Sequence, residues 1–400
     1  MSDPVFAPGG CIIDLGAIVW NFARLGEPER LMPVIKSDAY GHGLVPVARA
    51  LEKAGAKRFA VGTVNEAQTL REAGVGGDIH LLLNAMTPES WRIAAASRIV
   101  PLIATADNLR QAAECLPEDG SFPVTLKWET GMGRLGFEPE EVPDVVDFLR
   151  AHRALNPVLA LSHLSCADDP DQQEYSRGQI ARFTEITRAL REAFPGLKRS
   201  LANSAATLGM PESHFDICRP GISLYGDNPL VGTVRENMGR GLVWAMSVWT
   251  PILQVRNMPP GRSVSYGRLH TTQHPEKVAV LAAGYATGID RSLTNRMEVL
   301  IRGRRAPQVG RVCMGMFMVD VSGIPGVREG DKAWILGGEA EPGHSPVNPR
   351  EMAGKLGTIS YEVLCRMGAA NARSYVATEA PGGGDFQSAA AGLAKVLGRE

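Results

Sequence analysis

The chain has 400 residues, which suggests two or three domains, and its 42 basic side chains nearly cancel its 43 acidic ones. A general nucleic-acid binder or a protein of acidic membrane surfaces needs a surplus of basic charge on one face, so this balance argues against both classes. With 44% apolar and 21% charged residues, 44 glycines and 27 prolines, the composition predicts a globular protein with many tight turns and excludes a disordered, collagenous or fibrous chain.

The six cysteines form no CxxC pair, and no histidine cluster has the spacing of a zinc finger. Six cysteines in a chain of this length do not make a disulfide scaffold, so we expect reduced thiols and no metal site. Residues Met1–Pro4 lack the basic and then apolar layout of a signal peptide. No apolar run approaches the roughly 18 residues that a membrane span requires. These observations predict a cytoplasmic protein.

The first half of the chain alternates short apolar runs with amphipathic stretches, which is the pattern of repeated βα units. The candidate strands are 31–35, 59–63, 79–83, 99–104, 124–127, 159–164, 201–203 and 217–225. Helical patterns lie between them, as at 45–53, 66–73, 140–152 and 173–193. Eight strands within about 195 residues is the spacing of a (β/α)8 barrel. We therefore predict an α/β protein whose residues 1–240 form a TIM-like (β/α)8 barrel.

From about residue 241 the apolar runs are separated by turns rather than by helical patterns. The candidate strands there are 243–255, 277–283, 297–301, 308–318 and 333–335, with one helix at 348–356. This pattern predicts a second, mostly antiparallel β-domain over residues 241–380. The glycine-rich stretch after Ala380 predicts a flexible linker and tail over residues 381–400.

Polar side chains follow several of the predicted barrel strands at the point where each strand ends. In a (β/α)8 barrel these positions line one common mouth, where the chemistry takes place. The rule collects seven residues: Lys36, Lys127, Arg134, His163, Asn203, Ser204 and Arg219. Each alone has an ordinary explanation, such as a solvated lysine or a hydrogen-bonded core histidine. Seven residues spread over five βα units predict an active site.

Lys36 directly follows two apolar residues, Val34 and Ile35, so we expect its base to be buried and its amine to reach the mouth. Burial disfavours the ammonium form and leaves a nucleophilic amine, which Schiff-base chemistry requires. The loops at 203–204 and 220–222 follow the last two strands, where barrels often bind phosphate. A Schiff-base lysine facing a phosphate site is typical of a pyridoxal 5'-phosphate (PLP) protein or of a sugar-phosphate aldolase.

Six motifs in order along the chain resemble those of the alanine racemases. They are VIKSDAYGHG at 34–43, GMGRLGF at 131–137, ANSAA at 202–206, RPGISLYG at 219–226, VSYG at 264–267 and RVCM at 311–314. The likeness runs from about residue 12 to residue 375, which is nearly the whole chain. The resemblance implies a PLP-binding barrel followed by a β-domain. It also implies an amino-acid substrate and a homodimer with shared active sites, with no nucleic acid and no membrane as partner.

The resemblance also implies roles for residues that match the family's motifs. Lys36 would hold PLP and act as the base on one face of the substrate, and Tyr266 of the partner subunit would be the base on the other face. The implied PLP contacts are Lys36, Tyr40, His163, Asn203, Ser204, Arg219, Gly221, Ile222 and Tyr361. Arg134 and Met314 are implied to bind the substrate, and Lys127 is implied as a position that is often carbamylated in this family.

Two positions depart from the family's pattern, because Gly315 and Thr287 stand where many members carry an aspartate. Lys36, Tyr266 and Arg219 are all present, so the predicted reaction is the interconversion of L- and D-alanine. The two departures motivate one alternative, a serine or broad-specificity amino-acid racemase. A second alternative belongs to another class, a PLP-binding protein without turnover.

Overall fold

The structure is a computed structural model that describes residues 9–84, 87–115 and 120–378. Its strands are β1 (Gly10–Asp14), β2 (Arg58–Val61), β3 (Asp78–Asn84), β4 (Ile99–Ile103), β5 (Phe122–Lys127), β6 (Leu155–Leu161), β7 (Lys198–Ser200), β8 (Met246–Met258), β9 (Ser263–Val264), β10 (His270–Thr271), β11 (Glu276–Leu281), β12 (Glu298–Ile301), β13 (Arg304–Val309), β14 (Phe317–Asp320), β15 (Lys332–Leu336) and β16 (Arg373–Val376).

Helical segments alternate with the strands of the first half. They are α1 (Leu15–Leu25), α2 (Lys36–Tyr40), α3 (Leu44–Lys53), α4 (Val64–Glu72), α5 (Pro88–Ala96), α6 (Ala106–Cys115), α7 (Val142–Ala151), α8 (Gln173–Ala193) and α9 (Ser204–Gly209). The second half contains α10 (Pro349–Leu356) and α11 (Ser360–Ala370). The bounds of α8 are those that the sequence predicts. Its buried side chains Phe183, Ile186 and Leu190 recur at helical spacing, so one face packs on the barrel.

Strands β2 to β7 form a parallel sheet in chain order. The first and eighth predicted strands close it, because Val34 pairs with Ala60 of β2 while Leu31 pairs with Cys218. Backbone hydrogen bonds then join the segment 217–219 to β7. Eight parallel segments thus enclose one core, and the predicted (β/α)8 barrel is confirmed.

The second sheet has the strand order β11-β14-β13-β12-β15-β8-β1-β16. Neighbouring strands within this sheet are antiparallel, except that β1 and β16 pair in parallel. Strand β8 also pairs with β11, which closes six of the strands into a ring. The predicted antiparallel β-domain is confirmed.

Several predicted elements differ in detail from the observed ones. The predicted strand 308–318 is two strands, because Gly310 takes a φ of +75° at the end of β13 and breaks the extended chain. The seventh strand, β7, ends before the predicted 201–203. The predicted run 217–225 ends in a 3-10 turn at Ile222–Tyr225, after a proline that cannot donate a ladder hydrogen bond. Helix α11 and strand β16 were not predicted.

The division of the chain near residue 240 stays a prediction, and strand β1 hydrogen-bonds into the second sheet although it begins the chain. The predicted linker and tail at 381–400 lie outside the described residues. Within the described residues, no helix combines the length and the apolar character needed to cross a bilayer. All six cysteines are free thiols, of which Cys11 and Cys218 are buried and the other four are half-buried.

Candidate active site

A cavity of about 660 Å³ opens at the carboxyl ends of the barrel strands. The barrel loops line most of it, and helix α11 of the second half covers one side. Most of the predicted site residues line it: Lys36, Tyr40, Lys127, Arg134, His163, Asn203, Ser204, Arg219, Gly221, Ile222 and Tyr361. The structure therefore brings together residues that lie as far apart in the sequence as 36 and 361.

Lys36 begins a turn of unusual backbone conformation. Four consecutive residues that are not glycine, Ser37 to Tyr40, have φ values between 54° and 55°, in the left-handed helical region. Each such residue costs roughly 1–2 kcal/mol, so neighbouring groups must hold the turn in place. One of them is Asp38, whose carboxylate pairs with Arg373 of β16 and accepts a hydrogen bond from the Leu44 amide at 2.7 Å.

His42 also supports this turn, a role that the sequence analysis did not predict. Its buried ring packs 4.4 Å from the ring of Tyr225, measured between centroids. Nδ1 lies 3.0 Å and 3.1 Å from the carbonyl oxygens of Ala39 and Tyr40, so it donates to them. The HG dipeptide of the motif at 34–43 is a local signal of a turn, but not of this contact.

The cavity is strongly cationic. Lys36, Lys127, Arg134 and Arg219 line it, and none of them forms an ion pair with a carboxylate of the described residues. Burial lowers the pKa of the Lys36 amine, and the Arg134 guanidinium lowers it further. Burial and then Arg219 lower the pKa of the Lys127 amine to about 7. Such a cavity favours anionic ligands and neutral amines.

Arg219 is buried and is fixed by several acceptors. Its guanidinium donates to Ser200 Oγ at 2.6 Å and to the carbonyl oxygen of Ser162. Burial lowers the pKa of this guanidinium to about 9, so it stays charged at neutral pH. Nη2 lies 3.3 Å from Nδ1 of His163. Burial and the charge of Arg219 hold the pKa of the His163 imidazole well below its usual range, so this ring is neutral and accepts at Nδ1.

The loops after the last two barrel strands form a small polar cradle. Ser204 Oγ accepts hydrogen bonds from the amides of Gly221 at 2.8 Å and Ser223 at 3.3 Å. A Cβ at position 221 would lie 2.6 Å from the Tyr40 hydroxyl oxygen, so glycine is required for this close approach. Ser223 Oγ is buried and finds no partner among the described residues. Burial raises the pKa of Tyr40, so its hydroxyl stays protonated and can donate.

Tyr361 approaches the cradle from α11, with its ring centroid 5.8 Å from that of Tyr40. The start of α11 is tied to the end of the barrel, because Asp227 is buried and accepts hydrogen bonds from Ser360 and Arg350. Burial raises the pKa of Tyr361, and the Asp227 carboxylate adds to this effect. Contacts between the two halves of the chain therefore place a neutral tyrosine hydroxyl at the cavity.

The loop that carries Arg134 folds around the Glu129 carboxylate. This carboxylate accepts hydrogen bonds from four successive amides, those of Gly131, Met132, Gly133 and Arg134. Burial opposes ionisation, but these hydrogen bonds prevail and lower the pKa of Glu129. The carboxylate therefore orders a glycine-rich loop at the mouth of the cavity.

Tyr266 and Met314 lie on a different surface. They line a second cavity of about 380 Å³ in the β-domain, together with Tyr285, Arg291 and Arg311. Tyr266 is 74% exposed and Met314 is 62% exposed. One chain therefore does not bring these two residues to Lys36.

The two positions that depart from the family's pattern lie in or beside the second cavity. Gly315 lines it, and a Cβ added there would meet no atom within 4 Å. Thr287 Oγ1 accepts a hydrogen bond from the Gly284 amide at 3.0 Å, so its side chain closes its own turn. The described residues contain no group of three or more histidine, cysteine or acidic side chains that could hold a metal ion.

Comparisons with known proteins agree over most of the described fold. The family models of the alanine racemase N-terminal and C-terminal domains match residues 13–229 and 245–375. An alanine racemase of Nitratidesulfovibrio vulgaris is 48% identical over 359 residues, which cover 89% of this chain and 94% of that protein. One of Lawsonia intracellularis is 38% identical over 370 residues, which cover 91% of this chain and 97% of that protein.

Solved structures give the same result. The alanine racemase of E. faecalis matches with a TM-score of 0.85 at 30% identity, covering 94% of this chain and all of that one. The alanine racemase of a D-cycloserine-producing Streptomyces lavendulae matches with a TM-score of 0.83 at 33% identity, covering 92% and 97%.

Proposed function

The chain belongs to the alanine racemase family, and on that premise we propose that it interconverts L- and D-alanine by a two-base mechanism. Its activity is that of an amino-acid racemase, an isomerase. The observation that carries the mechanism is the barrel cavity, in which a lysine with a lowered pKa lies among unpaired cations and beside a polar cradle.

We propose PLP as the cofactor, because the cavity residues fit its charge and shape. The cradle offers hydroxyl donors and a glycine at its closest point, and the cations suit a dianionic phosphate. The residues that would hold PLP are Lys36, Tyr40, His163, Asn203, Ser204, Arg219, Gly221, Ile222 and Tyr361. When bound, PLP withdraws electrons from Cα of an attached amino acid and makes the Cα proton acidic.

Racemisation needs one proton-transfer group on each face of Cα. We assign Lys36 to one face, since burial favours the neutral amine that can accept a proton. We assign Tyr266 of the partner subunit to the other face. Its exposure on the β-domain supports this assignment, because a residue that reaches into a partner must lie on the surface of its own chain.

Arg219 and His163, which line the cavity, would adjust the charge on the PLP ring and the hydrogen bonding of the second base. Arg219 stays charged and would face the ring nitrogen of PLP, where a fixed positive charge discourages protonation. This limits electron withdrawal and so restricts side reactions such as transamination. The neutral His163 accepts from Arg219 at Nδ1, which leaves its Nε2–H free to donate to the phenol of Tyr266 of the partner subunit.

Arg134 and one backbone amide would bind the substrate. Arg134 would orient the substrate carboxylate, and the backbone N–H of Met314 of the partner subunit would support it. We also propose Lys127 as a carbamylation site. A pKa of about 7 leaves much of its amine neutral, and a neutral amine adds to CO2 with loss of one proton to form a carbamate.

We propose a homodimer with shared active sites as the working form. Several large apolar side chains that line the second cavity are exposed: Tyr266, Tyr285, Met314 and Met316. An exposed apolar cluster at a candidate catalytic residue supports contact with another subunit. We also propose a cytoplasmic location, which the six free cysteines support.

Hydrogen exchange at Cα tests the proposed reaction and its substrate together. Each L-amino acid is incubated with the PLP-loaded protein in D2O, and α-deuterium and the D-enantiomer are measured. We expect both for alanine. If incubation with L-alanine yielded neither α-deuterium nor D-alanine, the proposal would be contradicted.

A serine or broad-specificity racemase is the second candidate. Gly315 favours it, because the open space around that position places no side chain against a larger substrate. The ratio of kcat/KM for alanine to that for serine decides between the two. A ratio near one supports the broader enzyme, and a large ratio supports alanine.

A further inference from the structure

Glu66 lies beside the lysine turn, although it belongs to the next βα unit. It is the third residue of helix α4, where its side chain and that of Thr63 form a capping box. That motif accounts for one carboxylate oxygen. Oε2 accepts hydrogen bonds from the amides of Gly62 at 2.7 Å and Thr63 at 3.2 Å.

The second carboxylate oxygen has a task that a helix cap does not require. Oε1 accepts hydrogen bonds from the amides of Ser37 at 2.6 Å and Asp38 at 3.3 Å. These are the first two amides after Lys36, and they open the left-handed turn. One carboxylate thus joins the ends of the first two barrel strands and fixes the backbone from which the Lys36 side chain leaves.

The carboxylate also lies close to the base of the lysine. Gly62 separates the two, since a Cβ at that position would lie 3.0 Å from Glu66 Oε2 and 3.6 Å from Lys36 Cβ. Three other cations line the cavity, and Arg134 is the one that most opposes a charge on Lys36. Glu66 acts in the opposite direction, because its negative charge raises the pKa of the amine against the effect of burial.

We propose that Glu66 is a positioning residue for Lys36, which acts by clamping the left-handed turn and by placing a negative charge near the base of the lysine side chain. Glu66 does not line the barrel cavity. The inference rests on the proposed function, because the task that it serves is the attachment of PLP by Lys36. Two of the four hydrogen bonds that this carboxylate accepts come from the turn, and they help its four non-glycine residues to keep a conformation that their side chains disfavour.

The test uses the protein freed of PLP and measures how it takes up the cofactor. PLP is added across a range of pH, and the visible absorbance gives both the rate of attachment and the dissociation constant. The variants are Glu66→Gln, which removes the charge and replaces one of the two acceptor oxygens by an NH2 donor, and Glu66→Asp, which keeps the charge on a shorter side chain. Glu52→Gln is the matched control, because Glu52 Oε1 also accepts from two amides, those of Gly76 and Gly77, before β3.

We expect Glu66→Gln to weaken PLP binding by about tenfold or more. The pH of half-maximal attachment rate moves down, because the amine loses a neighbouring negative charge. Glu66→Asp weakens binding but keeps the pH midpoint near that of the unchanged protein. Glu52→Gln changes neither quantity.

Two results would overturn the inference. In one, Glu66→Gln binds PLP with the unchanged affinity and pH midpoint. In the other, Glu52→Gln loses as much affinity as Glu66→Gln, which would mean a general loss of stability. If Glu66→Gln does not fold, Glu66→Asp decides, since unchanged affinity in that variant would exclude the clamp. Failure of the unchanged protein to bind PLP contradicts the proposed function instead.

Discussion

The mouth of the barrel and the face of the β-domain around Tyr266 differ in how far one chain completes them. At the barrel mouth, Lys36 is half-buried in a left-handed turn, and Arg219 is held by several acceptors. On the β-domain, Tyr266 is mostly exposed beside an open cavity. A single chain therefore builds the binding half of the proposed site and leaves the proposed second base on its surface. We infer that assembly, rather than folding, completes the catalytic pair.

Lys36→Ala tests the barrel half of the proposed site, and among our predictions it has the largest expected effect on activity. The variant loses both the proposed anchor of PLP and one of the two proposed bases, so we expect racemisation to fall by about 10⁴-fold or more. Turnover is measured by coupling D-alanine to an oxidase. Lys198→Ala is the control, because Lys198 is exposed at the start of β7. Full turnover in Lys36→Ala would refute the assignment of this base.

Tyr266→Phe tests the β-domain half, and we expect a smaller loss of about 10²- to 10⁴-fold. PLP binding should be unchanged, since Tyr266 does not line the barrel cavity. One enantiomer of alanine should still exchange its Cα hydrogen in D2O without inversion, because Lys36 serves one face only. Equal exchange of both enantiomers would contradict a one-face role for each base.

Arg219→Gln tests the electrostatics of the barrel half. Without the charged guanidinium, the ring nitrogen of PLP accepts a proton more easily, so electron withdrawal increases. We expect racemisation to fall by about 10- to 100-fold and pyruvate formation by transamination to rise relative to it. Both products can be measured in one reaction. A ratio of pyruvate to D-alanine that stays unchanged would show that the charge has no such role.

The first half of the fold could be predicted from sequence because its strands and helices have strong local patterns. Helix α11 could not, since its N-cap, Ile359, supplies no side-chain hydrogen bond to mark the start. Strand β16 pairs with β1 across nearly the whole chain, and no local pattern indicates such a partner. Glu66 shows the same limit, because its capping box is visible in sequence whereas its contact with Ser37 is not.

The barrel half also contains three histidines whose protonation opposes folding, His42, His80 and His163, and these give the smallest predicted effect. Burial and then Arg58 lower the pKa of His80 to about 3, and burial lowers that of His42 to about 4. Between these values and the unfolded pKa near 6.5, the unfolded state binds more protons. Stability is therefore complete above about pH 6.5 and falls as the pH drops, on the order of 1 kcal/mol per pH unit for each histidine.

Calorimetric unfolding from neutral pH down to about pH 4 measures this slope. His80→Gln should make the slope shallower, because one of the three linked histidines is removed. An equal slope in the variant would show that His80 is protonated in the folded state.

Subunit mixing tests the central claim most directly. Lys36→Ala and Tyr266→Phe chains with different tags are co-expressed, and the mixed dimers are separated from the two parents. Each mixed dimer has one site with both bases and one site with neither. The purified mixed dimers should then recover about half the activity of the unchanged dimer, and an unfractionated equal mixture about a quarter. Mixed dimers as inactive as both parents would contradict a site built from Lys36 of one chain and Tyr266 of the other.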